Sequence, residues 1–275
     1  MTDAHQNVAR VQTYAQKRRE AKRLARTCFF QSGNALLLIA ATLIPIILFM
    51  SGQGIYSMLS FAADDPEPWL TDLMYAVDAL VIALTLPLIG GLMYIVTGLA
   101  QGKSRQLRDV FYAYTSLRAY FRTWVAILIP LLTLSAIGGI AAMVISASDA
   151  LSEMAQLMEA GEALLYGNLF SNCGTLLASV IALIGLVLAG YTVPFLWLVF
   201  SHPDEPIGLL FTRSLSMSHG QLFAWLLLHC SFLGWLLLSV ATVGILLVLF
   251  VIPYYLLTVA IYADGFGNDK SLRIE

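Results

Sequence analysis

Charge is what this sequence is short of. Asp, Glu, Lys and Arg make up 12% of its 275 residues, against about 25% in a soluble domain. Hydrophobic residues reach 59% and the mean hydropathy is +0.79. A free-standing soluble enzyme of this size could not cover its surface with so few charges. Disorder is excluded too, because it needs low hydrophobicity and high net charge. Cysteine is also scarce. Cys28, Cys173 and Cys230 fall at three different expected depths, so neither a disulfide nor a thiolate metal site is suggested. The chain has no phosphate-binding Gly-Lys loop, no Gly-x-Ser-x-Gly elbow, no His-Glu-x-x-His pair and no dinucleotide fingerprint. Nothing in it points to a catalytic centre, a metal or a cofactor.

What it has instead is long apolar runs. A hydrocarbon core about 30 Å thick needs roughly 20 apolar residues of helix. Spans are expected at 34–52, 74–99, 123–145, 173–200, 223–242 and 245–262. The last two share one uncharged stretch, Phe223 to Tyr262, and a turn near Thr242-Val243-Gly244 divides it, since Gly ends helices readily. Five spans is the alternative, with the C-terminal stretch tilted or interfacial. The chain then divides into a basic segment 1–33, a membrane domain 34–262 and a tail 263–275, an all-α polytopic bundle.

The few charges are ordered. Arg10, Lys17, Arg18, Arg19, Lys22, Arg23 and Arg26 precede the first span. Lys103, Arg105, Arg108, Arg118 and Arg122 separate spans two and three. Arg213 lies between spans four and five, and Lys270 and Arg273 follow the last. These are all fifteen cations of the chain. The other loops carry only acids: Asp64, Asp65, Glu67 and Asp72, then Asp149, Glu153, Glu159 and Glu162. Cations stay on the cytoplasmic side, so both termini are expected inside. More than thirty residues precede the first apolar run, so a retained anchor is expected rather than a cleaved signal.

An amphipathic helix is expected before each odd-numbered span. Leu107, Val110, Phe111, Tyr114, Leu117 and Phe121 fall at helical spacing, with Arg105, Arg108, Arg118 and Arg122 off that stripe. Such a helix lies in the membrane interface, where Tyr112, Tyr120 and Trp124 suit the headgroup level. After Pro203-Asp204-Glu205-Pro206, residues Ile207, Leu210, Phe211 and Leu215 form a second stripe. The first segment, about 8–30, has more charge than stripe. Gly33-Asn34 and Gly220-Gln221 each stand just before a Leu-rich span. These matches point to three units of inner helix plus hairpin, 8–99, 103–200 and 205–262. In the acidic loop 146–172, Leu151, Met154, Leu157 and Met158 at helical spacing predict an outer amphipathic helix.

The C-terminal third carries a pattern: Pro203-Asp204, Arg213-Ser214, Met217-Ser218-His219-Gly220, Phe232-Leu233-Gly234-Trp235, Thr242-Val243-Gly244, Pro253-Tyr254 and Ala260-Ile261-Tyr262. In the middle stand Gly98-Leu99-Ala100-Gln101-Gly102 and Asp109-Val110-Phe111. This resembles the bacterial integral-membrane family known as domain of unknown function 975. The family usually has a basic residue where His219 stands. The resemblance implies a bacterial cytoplasmic membrane protein and supplies no catalytic residues.

Few polar groups lie near the spans. His229 sits about seven residues into span five, and ionisable groups at that depth face a bundle interior or a cavity. Asp78 is the carboxylate nearest a span and is expected at the outer interface. Both are candidate intramembrane polar residues. Pro45, Pro87, Pro130, Pro194 and Pro253 predict kinks, and Gly90-Gly91, Gly138-Gly139 and Gly185-x-x-x-Ala189 predict close helix contacts. Lys17, Arg18, Arg19, Lys22, Arg23, Arg105 and Arg108 are candidate ligands for anionic lipid headgroups, each worth about 1 kcal/mol near the surface. Nucleic acid is not expected as a partner, because these cations lie within reach of a membrane. A non-enzymatic protein binding lipids, a membrane-protein partner or a second copy is the expected function. A transporter or permease-like subunit with a cavity among kinked helices is the alternative.

Overall fold

The computed structural model describes residues 2–31, 33–61, 68–157, 172–181, 194–218, 221–242 and 244–267. Every regular element among the described residues is helical. Five of the helices are long and apolar enough to cross a membrane: Asn34–Phe61, Trp69–Ala100, Leu117–Ala150, Phe223–Ala241 and Leu247–Gly265. The predicted span 173–200 is helical at Asn172–Ile181 and at 194–201. Its middle, with Gly185 and Ala189, lies outside the described residues. So do Asp64, Asp65, Glu67, Met158, Glu159, Glu162, His219, Gly220, Lys270, Arg273 and the side chains of Leu151, Glu153, Met154 and Leu157.

The chain forms two compact units. The first takes residues up to Ile127 and from Pro194 onward. It opens with α1 (Thr2–Phe30), whose small residues Ala21 and Ala25 and the ring of Phe29 recur every four positions and are buried. At Gly33 the backbone turns left-handed, φ +84°, which a residue without Cβ accepts freely. The Asn34 side-chain Nδ2 then donates to the Cys28 carbonyl at 2.9 Å and closes the turn. Next come α2 (Asn34–Phe61) and α3 (Pro68–Ala100), which run antiparallel. Gly52 lies against Val81, and Gln53 bonds Asp78 at 2.9 Å. Pro45 and Pro87 sit inside these continuous helices.

The stripe predicted over 107–121 is two elements. Leu107–Thr115 is a 3-10 helix, Ser116 is extended, and α4 (Leu117–Leu157) begins afterwards. The 3-10 turn buries Val110 and Ala113, while Leu107, Phe111, Tyr114, Leu117 and Phe121 stay exposed. Val110 is held because its carbonyl packs onto the bare Cα of Gly91. Gly90 receives Thr123 in the same way. The expected Gly-Gly contact is thus present at 90–91, while Gly138 and Gly139 face open space.

The unit closes with α6 (Ile207–Ser218), α7 (Leu222–Cys230), α8 (Leu233–Ala241), a π-helical turn Leu247–Val251 and α9 (Ile252–Gly267). Helix α6 follows Pro206 as its turn motif predicted, and it buries Leu210, Ser214 and Ser218. Gly244 makes the expected turn at φ +80°. The π turn precedes Pro253, whose ring would crowd the carbonyl four residues back. The widened turn, with Ile252 N–H on Leu247 O, makes room for it. The expected span 223–242 is the apolar helical stretch Phe223–Ala241, interrupted by a turn at Ser231-Phe232 whose backbones stay right-handed.

The second unit is Leu128–Val193. It contains α4 from Leu128 onward, with Pro130 inside it, and the short apolar helix α5 (Asn172–Ile181). Gly174 packs on Ser148, and Ala178 is buried. At 1.5 Å per residue, the 41 residues of α4 run about 60 Å. The helix therefore continues unbroken to Leu157, into the start of the acidic segment, where a separate outer helix was expected.

Candidate functional site

The cations of α1 meet the break in the C-terminal hairpin. Arg18 donates to the Leu227 carbonyl at 3.4 Å, and Lys22 donates to the Ser231 carbonyl at 3.5 Å. The Leu227 carbonyl also accepts from Ser231 N–H at 3.1 Å, whereas the Ser231 carbonyl stands just past the end of α7, where helix ends leave carbonyls without intrahelical partners. The Lys22 ammonium also lies 4.7 Å from the Phe232 ring centroid, within cation–π range. On the other side, the Tyr254 hydroxyl donates to the Lys22 carbonyl at 3.1 Å. Burial, and then the neighbouring Arg18, push the Lys22 pKa down.

A cavity of about 420 Å³ opens at this place, lined by Arg18, Arg19, Lys22, Leu227, Cys230 and Ser231. A guanidinium has five N–H donors and an ammonium three. Arg18 and Lys22 each spend one on the carbonyls just named. Arg19 and Arg23 are exposed on α1, and Lys17 is half-buried.

The other candidate ligands lie elsewhere. Arg105 stacks over Tyr94 at 3.9 Å and fills the space above Gly98. Arg108 is exposed. The seven cations therefore do not form one site: Arg18, Arg19 and Lys22 line the cavity at the hairpin break, Lys17 and Arg23 are not among its lining, and Arg105 lies at the end of α3.

His229 and Asp78 have different partners. His229 Nδ1 shares a hydrogen bond with the Tyr255 hydroxyl at 2.8 Å, and its ring lies near-parallel to Trp225 with centroids 6.4 Å apart. Asp78 accepts from Gln53 at 2.9 Å. All three cysteines are free, with Cys173 and Cys230 exposed. Burial pushes the Cys28 thiol pKa up. Among the described residues no three His, Cys, Asp or Glu side chains gather.

Two features escaped the sequence reading. One is the break at Ser231-Phe232, which neither Gly nor Pro marks. The other is Arg122. It is 6% exposed and donates to the carbonyls of Glu205 (2.6 Å), His202 (2.7 Å) and Val199 (3.3 Å). The sequence pattern placed it only among the cations off the amphipathic stripe, with no partner assigned. It is in fact the cap of the helical segment 194–201.

No curated protein and no solved structure matches the chain. A family model does match, over residues 15–267. The chain belongs to the family described as protein of unknown function (DUF975).

Proposed function

We propose that this is a non-enzymatic, multi-pass protein of the bacterial cytoplasmic membrane, with both termini on the inner face, that binds anionic lipid headgroups through α1. The observation that carries the reading is the cavity of Arg18, Arg19 and Lys22 at the hairpin break. Its cations have donors left for phosphate oxygens, and charge-assisted bonds of this kind are about twice as strong as neutral ones. The orientation is supported by the charge order, since every Lys and Arg of the chain falls in segments expected on one side. The transporter reading has less support, because Asp78 and His229 are each bonded to a neighbour other than the other.

The test is the melting temperature of the detergent-purified protein with a short-chain phosphatidylglycerol, a short-chain phosphatidylcholine or inorganic phosphate added. The anionic lipid is expected to raise it, and the shift is expected to shrink in Arg19→Gln. A shift from inorganic phosphate alone would assign the cavity to a free anion. Equal shifts from the two lipids would remove the headgroup reading.

A further inference from the structure

The start of α4 carries charge and apolar surface in a fixed order. Arg118, Phe121, Arg122 and Val125 fall at i, i+3, i+4 and i+7, so they share one face of the helix. Arg118 is exposed in the first turn, and Phe121 and Val125 are exposed on the turns that follow. Leu117–Ala150 is one of the helices apolar enough to cross a membrane, so this face runs from its charged end toward its apolar middle. A phospholipid has the same order, with a charged headgroup outside and its chains further in.

The approach to α6 lies against this face. A cavity of about 350 Å³ opens between them, lined also by Glu205, Pro206 and Ile207, and all of it belongs to the first unit. Three of its features attract a phosphate. Arg118 has no hydrogen bond or ion pair among the described residues, so its five N–H donors are open. Arg122 is the buried member, 6% exposed. Its hydrogen bonds all go to neutral carbonyls, and its Nε has no partner, so no carboxylate accepts from it. Ile207 is the first residue of the twelve-residue helix α6, and a helix start offers spare N–H groups and the positive end of its dipole.

Glu205 adds the opposite sign. Its carboxylate is half-buried, and Arg213, the cation paired with it, stands at 3.9 Å, beyond hydrogen-bond reach. A carboxylate beside a phosphate site repels a plain anion. It suits a headgroup that brings a positive group along with its phosphate.

We infer that this cavity binds a phospholipid whose headgroup ends in a primary ammonium. The phosphate meets Arg118 and the start of α6, next to the buried charge of Arg122. The ammonium donates to the Glu205 carboxylate, and the chains run along Phe121 and Val125. A primary ammonium has three N–H donors and a choline group has none, so Glu205 separates two headgroups that are otherwise alike. The site shares no residue with the cavity of Arg18, Arg19 and Lys22, and the inference does not rest on an anion there.

Melting temperatures of the detergent-purified full chain test it, with short-chain phosphatidylethanolamine, short-chain phosphatidylcholine or inorganic phosphate added. Bound ligand stabilises by mass action, so the ethanolamine lipid is expected to give the larger rise. Glu205→Gln is expected to cut that rise to the level of the choline lipid, and Arg118→Gln to reduce the rise from both. Arg19→Gln, at the hairpin break, is expected to leave the ethanolamine preference in place. Equal rises from the two lipids, no rise from either, or a preference that survives Glu205→Gln would overturn the proposal. So would inorganic phosphate that matches the ethanolamine lipid, or an Arg118→Gln chain that responds like the unaltered one.

Discussion

At Arg122 three carbonyls converge on one guanidinium, and this is where residue-level chemistry does most for the fold. The planar fork meets several acceptors at once, which an ammonium cannot do. Removing a partner from a buried acceptor costs about 1–3 kcal/mol. Arg122→Ala is expected to lower stability in detergent by about that amount, and Arg122→Lys to recover only a small part. Unchanged melting curves for both variants would mean that the cap is dispensable. The sequence could not announce this role, because a cation two residues before a Trp reads the same whether it faces a phosphate or a backbone carbonyl. His229 was easier to read. A polar ring in an apolar run needs a partner, and Tyr255 on the returning arm supplies one.

At the scale of elements, glycines decide what lies against α3. A Cβ on Gly91 would collide with the Val110 backbone, which has no side-chain freedom to yield. A Cβ on Gly98 would meet only the side chain of Arg105, which can swing away. Overpacking costs typically about 1–3 kcal/mol, and here it should lift the 3-10 segment from α3. Gly91→Ala is therefore expected to speed trypsin cleavage at Lys103, Arg105 and Arg108 severalfold, and Gly98→Ala to leave the rate at Lys103 and Arg108 close to that of the unaltered chain. Equal rates in the two variants would show that Val110 is not the anchor. The Gly-Gly pair was legible as a contact site, but its occupant was not. The stripe from Leu107 to Phe121 reads as one helix by period, yet the break at Ser116 divides it, and Val110, its smallest member, is the one that is buried, beside Ala113. The turns at Asn34 and Gln221 were better signalled. In both, the backbone N–H bonds the carbonyl three residues back, at 3.1 Å, just as a helix begins.

For the whole molecule, the helical class and the long apolar helices were legible because hydropathy acts over twenty residues at a time. What hydropathy could not convey is how far an apolar arm penetrates, since Phe223 to Tyr262 is uncharged along its whole length. Depth follows from what runs beside the arm. On one side that is α1, with Arg19, Arg23 and Arg26 exposed. On the other, Ile252 and Leu256 share an apolar cavity of about 450 Å³ with Thr42, Pro45 and Phe49 of α2 and Ile89 and Leu92 of α3. The returning arm therefore packs along the middle of two long apolar helices, while Ile245 at the apex is 65% exposed. An unpaired charge in the cavity is costly, and a substitution at an exposed position usually is not. Ile252→Lys is expected to lower the melting temperature in detergent by several degrees, and Ile245→Lys to leave it close to that of the unaltered chain. Equal shifts from the two variants would mean that the arm does not pack against α2 and α3.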